Sequence, residues 1–144
     1  MKIITISGTP GTGKTTVSKK ITELIDAKLI SLNELAISKN FTLKYDKKRE
    51  THVIDSDRLI SYITNIINSL KESRQNFLII EGHFADIVPN EFIDYAIILR
   101  CEPEELLKRL SKRRYKKEKI KENVQAEILG NCINYFVQKQ IETP

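Results

Sequence analysis

The sequence predicts an α/β fold, a parallel sheet flanked by helices, in a single domain over residues 1–144. Three observations carry this expectation. Short apolar runs alternate with segments whose apolar residues recur at helical spacing, the order of successive βαβ units. A glycine-rich loop joins the first apolar run directly to the first helical segment. Phe77-Leu78-Ile79-Ile80 is apolar without interruption, as in a strand covered on both faces. With 40% hydrophobic and 30% charged residues in 144, the chain can bury a real core and is neither disordered nor fibrous. No apolar run approaches the length of a membrane span. Cys101 and Cys132 form no CxxC pair, which excludes a disulfide framework or a zinc site and fits a reducing cytoplasm.

The elements follow in order. Lys2–Ser7 is apolar and β-branched, the first strand. Val17, Ile21, Leu24 and Ile25 make one stripe of an amphipathic helix. Lys28–Ser31 reads as a second strand and Leu32–Lys39 as a short helix, whereas Asn40–Val53, polar and weakly patterned, reads as a loop or mobile insertion. Leu59, Ile63, Ile66, Ile67 and Leu70 form the clearest helical stripe, with Asp55 placed to cap it. Phe77–Ile80 and Tyr95–Leu99 are two further strands, both expected to be buried. Pro103 suits the first position of a helix, Glu104 and Glu105 its first turn, and Leu106, Leu107 and Leu110 its apolar face. One last helix is expected from about Lys119 to Val137, with Ile120, Val124, Ile128, Cys132 and Phe136 on one side. That helix leads the eye to a further strand, yet the sequence closes at Ile141-Glu142-Thr143-Pro144, so a C-terminal strand is expected to be missing.

Charge is concentrated. Nine of the residues from Lys108 to Lys121 are basic against one acid, Glu118, a local +8 in a chain of net charge +5. The remainder is therefore mildly acidic. Such a block suits nucleotide phosphates or RNA, or is a solvated helix face.

Gly8-Thr9-Pro10-Gly11-Thr12-Gly13-Lys14-Thr15 matches GxxxxGK[ST] in full, between a strand and a helix, the context this motif requires. Glycines let successive backbone N–H groups turn around a polyphosphate, and the helix after them points its positive end at the same anion. Lys14 would then reach the β- and γ-phosphates and the Thr15 hydroxyl would ligate magnesium. Glu81 closes the third strand, where parallel sheets place their ligand crevice, and is positioned to hold the magnesium shell. His83, two residues on, either orients a water or is an ordinary turn histidine. Arg109 and Arg113 stand at i and i+4 on one helix face; they clamp transferring phosphates or are solvated surface arginines. Arg100 has similar placement with less to support it, and His52, Cys101 and Cys132 read as surface or packing residues.

Together these residues resemble a known family. The loop Gly8–Thr16, the strand end Glu81-Gly82-His83, and Arg109–Tyr115 followed by Glu122-Asn123-Val124-Gln125-Ala126-Glu127-Ile128 are similar to adenylate kinase isoenzyme six, the coilin-interacting nuclear ATPase family with its archaeal relatives. Asn33-Glu34-Leu35-Ala36, Tyr45-Asp46 and Ile54-Asp55 fall in the same order and spacing. The resemblance implies a P-loop nucleoside monophosphate kinase fold, with an acceptor-binding region over about residues 31–54 and a short lid over about 112–122. It implies phosphoryl transfer from ATP to AMP, ATP hydrolysis, and action in late small-subunit ribosome maturation through a platform ribosomal protein. By match, Gly11, Gly13, Lys14, Thr15, Thr16 and Arg113 would hold ATP, and His83 would serve hydrolysis. Three departures stand out. Asn33-Glu34 replaces a common Gly-Asp, Ile37 stands where a basic acceptor-phosphate residue is usual (Lys39 lying two positions on), and Arg114 replaces the glycine of an Arg-Gly-Tyr lid turn.

Two functions from different classes are therefore expected on one site: an adenylate kinase using ATP and magnesium, and an ATP-switched ribosome assembly factor that contacts a ribosomal protein or pre-rRNA. A GTPase is disfavoured because no NKxD-type run is present, and a motor ATPase by the chain's length.

Overall fold

The computed structural model describes residues 1–47 and 51–138. Four strands form one parallel sheet: β1 (Lys2–Gly8), β2 (Ala27–Ser31), β5 (Phe77–Glu81) and β6 (Tyr95–Leu99), in the order β2-β5-β1-β6. The crossovers are α1 (Lys14–Leu24), α2 (Leu32–Ser38) and α3 (Ser56–Lys71), and α4 (Pro103–Lys112), α5 (Lys117–Leu129) and α6 (Asn131–Gln138) follow β6. Two short 3-10 turns, Ala85–Ile87 and Asn90–Phe92, join β5 to β6. No helix among the described residues is long and apolar enough to cross a membrane.

Register assigns the two sheet faces. Ile3 pairs with Leu78 and Thr5 with Ile80 and Ala96, so these residues share one face, which α3 covers with buried Leu59, Ile63 and Ile67 and α6 covers with buried Phe136. Ile4, Ile6, Ile79 and Glu81 share the opposite face, the side of α1. The α3 stripe thus buries where its spacing predicts. Its cap does too, since the Asp55 carboxylate accepts from the Arg58 N–H at 3.3 Å. A second, smaller cluster of Leu106, Leu110 and Ile120, with Cys101, Tyr115 and Val124 against it, joins α4 to α5.

The structure corrects the sequence reading in three places. The stretch expected to be a loop carries a hairpin, β3 (Thr42–Asp46) and β4 (Thr51–Ile54), paired antiparallel. Leu43 and Tyr45 stay exposed on it, so main-chain pairing rather than a buried face makes these strands, and no alternation toward a core was there to see. The residues between them, 48–50, and the side chain of His52 lie outside the described residues. β6 is an edge strand, paired with β1 alone among the described residues; only Ala96 on it is buried and Tyr95 is half exposed. A run of apolar residues does not by itself distinguish a central strand from an edge.

The expected last helix is two. Gly130, at φ 67°, caps α5 in the left-handed conformation, and α6 starts afresh at Asn131. The Gly130 N–H bonds Glu127 O at 3.1 Å, the usual helix stop built on glycine. The expected face also fails within α5 itself: Glu127 is buried, while Ile128, expected inside, is 60% exposed. The positions where a missing C-terminal strand was expected, 139–144, also lie outside the described residues.

Candidate active site

The loop after β1 is folded by its own short-range contacts. The Thr12 hydroxyl donates to Thr9 O at 2.7 Å and its N–H to the same oxygen at 3.2 Å. Gly11 (φ 94°) lets α4 pack directly on the loop, because a Cβ there would stand 2.9 Å from Leu106 Cδ1 and 3.0 Å from Leu110 Cδ2. Gly13 precedes α1, and no side chain caps that helix. Its first-turn N–H groups are therefore available to an anion.

Lys14 bends back over the loop. Its ammonium donates to Gly8 O at 2.9 Å and Thr9 O at 3.2 Å, with one donor to spare. Burial lowers its pKa; Glu81 and the thiol of Cys132 raise it again, and Arg113 lowers it. Thr15 and Thr16, in the first turn of α1, are exposed.

Glu81 is buried at the carboxyl end of β5, on the α1 face of the sheet, and accepts a long hydrogen bond from the Thr15 hydroxyl at 3.4 Å. Desolvation raises its carboxyl pKa, Lys14 and Thr15 oppose this, and Glu34 of α2 adds a like charge. One hydroxyl and one buried carboxylate are hard oxygen donors, and so few of them suit magnesium, which keeps waters and takes the rest of its shell from phosphates. Among the described residues no group of three or more His, Cys, Asp or Glu forms an all-protein cage.

His83 follows at the same strand end. Its ring packs edge-on against Phe84, with centroids 4.7 Å apart. Its pKa is pushed down to about 4, by desolvation first and then by the charges of Lys14 and Lys119. Part of its surface remains open to solvent.

On α4, Arg109 Nη1 donates to Gly11 O at 3.1 Å, while its Nε bonds Glu105 at 3.2 Å. Arg113, one turn on, caps α4 and acts on Lys14. Arg109 thus reaches the loop by a direct hydrogen bond, whereas exposed Arg113 acts on Lys14 through its charge alone. Arg100 does not join it: its guanidinium pairs with buried Glu127, Nε to Oε1 at 2.6 Å, and holds Glu127 O at 3.0 Å, fastening β6 to the end of α5. Lys39, the candidate substitute for a basic residue at Ile37, lies over the Tyr62 ring at 5.5 Å.

Two residues escaped the sequence reading. Cys132, at the start of α6, donates its thiol to His83 O at 3.7 Å; burial first raises its pKa, and Lys14 and the Ser7 and Thr9 hydroxyls lower it. Lys119 of α5 lies over Tyr115 at 4.3 Å and acts on His83. Neither carries a motif, and only the α5–α6 corner brings Cys132 to the loop. A roomier surface cleft, about 380 Å³, is lined by Phe41, Asp57, Arg58, Ser61, Tyr62 and Asn65, none of which belongs to the loop, β5 or α4.

Residues 4–130 match the family model described as an AAA domain. A Methanocaldococcus jannaschii protein named "Putative adenylate kinase" is 38% identical over 90% of this chain and 69% of its own length. The Caenorhabditis elegans adenylate kinase isoenzyme 6 homolog is 32% identical over the same two shares, 90% and 69%. Among solved structures, shikimate kinase from Acinetobacter baumannii superposes with a TM-score of 0.63 at 19% identity, over 99% of this chain and 82% of that one, a likeness of fold.

Proposed function

Because this chain belongs to the adenylate kinase isoenzyme 6 family of P-loop kinases, we propose that it transfers the terminal phosphate of ATP to AMP, giving two ADP, and also hydrolyses ATP. The observation that supports this reading best is the reach of α4 to the loop: Arg109 Nη1 donates to Gly11 O at 3.1 Å, on the same loop whose Gly8 and Thr9 carbonyls hold the Lys14 ammonium. Phosphoryl transfer has a loose transition state with its charge on the phosphoryl oxygens, so positioning and charge neutralisation do most of the work.

In this reading the loop N–H groups and the start of α1 cradle the phosphates, and Gly11, Gly13, Thr15 and Thr16 line that cradle. Lys14 keeps one end on the loop carbonyls and turns its remaining donor to the transferring group. Thr15 and Glu81 would hold magnesium, which would supply neutralisation of the charge on the transferring phosphate. Arg109 and Arg113 neutralise the charge that develops on the opposite side. The acceptor phosphate is already an anion and needs no general base. Water does need orienting, and neutral His83 can accept its hydrogen bond, which makes hydrolysis the side reaction of the same site. The region 31–54 holds the acceptor, and 112–122 serves as the lid.

The test is ADP production from ATP with and without AMP, in magnesium. AMP-dependent ADP formation well above the hydrolysis rate supports the kinase. Hydrolysis unaffected by AMP favours an ATP-switched factor instead. The exposed cations of Lys108–Lys121 favour that second role alongside the first, through contact with a small-subunit ribosomal protein or pre-rRNA.

A further inference from the structure

We propose that Glu127 and Cys132 are positioning residues that place His83, and through it the hydrolytic half of the reaction, by way of the α5–α6 corner. The run of contacts begins at the end of β6. The Arg100 guanidinium donates through Nε to Glu127 Oε1 at 2.6 Å and through Nη2 to Glu127 O at 3.0 Å. That same carbonyl accepts the Gly130 N–H at 3.1 Å, so the guanidinium holds the oxygen on which the helix stop is built. A Cβ on Gly130 would stand 3.6 Å from an Arg100 guanidinium nitrogen, so the corner is seated directly against it. Beyond the corner, the Asn134 N–H bonds Gly130 O at 2.9 Å and its side-chain amide bonds Leu129 O at 3.1 Å. These bonds tie the first turn of α6 to the last residues of α5. Cys132 lies in that turn, and its thiol donates to His83 O at 3.7 Å.

Two observations set these contacts apart from ordinary packing. Glu127 is 3% exposed, and its Oε2 has no hydrogen-bond partner among the described residues. A buried ion pair contributes little net stability, and a half-satisfied one less, so the pair suits fixing a geometry better than holding the fold together. The second observation is at the far end. β5 ends at Glu81, the Gly82 N–H still bonds Ile6 O at 3.0 Å, and His83 follows in a turn beyond the sheet. A residue past the strand takes its position from other contacts: the Cys132 thiol holds the His83 carbonyl, and Phe84 packs edge-on against its ring. The inference rests on the reading that His83 orients the attacking water.

Cys132→Ala, Cys132→Ser and Glu127→Gln in the full chain test it. The measurements are ATP hydrolysis and AMP phosphorylation in magnesium, thermal melting, and the NMR ring signals of His83, one of two histidines in the sequence. C132A is expected to lower hydrolysis about tenfold and AMP phosphorylation less than about twofold, since a small displacement already weakens a reacting geometry. C132S keeps a donor and is expected to retain most of the hydrolysis. E127Q removes the charge that holds the corner and is expected to lower the ratio of hydrolysis to phosphorylation as C132A does. The double variant should fall no further than the deeper single, as links of one path require. In the nucleotide-free protein the His83 ring signals are expected to move in C132A and in E127Q, and to stay near the parent's in C132S. Should E127Q fail to melt cooperatively, Arg100→Lys, which keeps the charge without the fork, takes its place. His83 signals unmoved in C132A and E127Q overturn the proposal, and so do equal losses in both activities or a C132S as impaired as C132A. A parent that phosphorylates AMP without hydrolysing ATP refutes the hydrolytic role of His83, and the ring signals then decide its placement by themselves.

Discussion

At the scale of single residues, the ammonium of Lys14 sits where burial, two loop carbonyls and the Glu81 carboxylate meet. Removing it takes away charge neutralisation that is preorganised, which is worth ~2.7–4 kcal/mol in comparable sites. Lys14→Ala is expected to lower phosphoryl transfer about 100–1000-fold with an unchanged melting curve; near-parental turnover with bound ATP would refute the loop assignment. His83 divides the two activities. His83→Ala is expected to cut hydrolysis more than AMP phosphorylation, because only hydrolysis needs an oriented water. Equal losses in both would make His83 a structural residue. The same histidine sets a pH dependence. Its folded pKa of about 4 lies below the ordinary 6.5, so between those values the unfolded chain holds a proton that the folded chain does not. Its contribution to stability is complete above about pH 6.5 and lost as pH falls toward 4. Glu81, with its carboxyl pKa raised, works in the opposite direction. Denaturant titrations at pH 7, 5.5 and 4.5 should therefore show a shallower decline in His83→Ala than in the parent, since the variant removes the histidine alone.

At the scale of elements, one glycine decides how the C-terminal third packs. Gly130 holds φ 67°, and a Cβ on it would come within 3.3 Å of Ile133 and 3.6 Å of an Arg100 guanidinium nitrogen. A side chain there meets both left-handed strain, about 1–2 kcal/mol, and the Arg100–Glu127 fastening. Gly130→Ala is expected to destabilise the chain by roughly that amount, a fall in melting temperature of about 2–8 °C for a domain of this size. A rise in melting temperature would mean that α5 and α6 prefer to run on as one helix. The consequence reaches the site, because α6 carries Cys132 to the β5 strand end, where its thiol meets His83 O at 3.7 Å.

At the scale of the whole molecule, the charge distribution is lopsided. Nine cations lie between Lys108 and Lys121, and the site uses few of them: Arg109 on the loop, Arg113 and Lys119 around Lys14 and His83. Lys108, Lys112, Lys116, Lys117 and Lys121 are exposed on α4, the turn and α5. If this face meets RNA, binding falls steeply with salt, by a slope of about −0.7 to −0.9 in log K per neutralised phosphate. Replacing Lys116, Lys117 and Lys121 by glutamine is expected to flatten that slope in a filter-binding titration and to leave AMP phosphorylation intact. A salt-insensitive interaction, or none, would assign these lysines to solubility.

The sequence by itself determined the parts whose physics is local. The β1 run, the GxxxxGKT loop and the α1 stripe are contiguous, so the phosphate cradle and its lysine are legible from residues 2–25 alone. The α3 stripe and its Asp55 cap are legible for the same reason, a period and a short-range hydrogen bond. Tertiary structure decided what depends on distant partners. Whether Tyr95–Leu99 is central or at an edge depends on which strands pair with it, and whether Thr42–Ile54 is a loop or a hairpin depends on main-chain pairing that leaves no apolar signature. Arg100 and Arg109 read alike in sequence, both at or after a strand end. Only packing separates them, sending one to a buried carboxylate on α5 and the other to the loop carbonyl, because a long flexible side chain goes wherever the fold presents a buried acceptor.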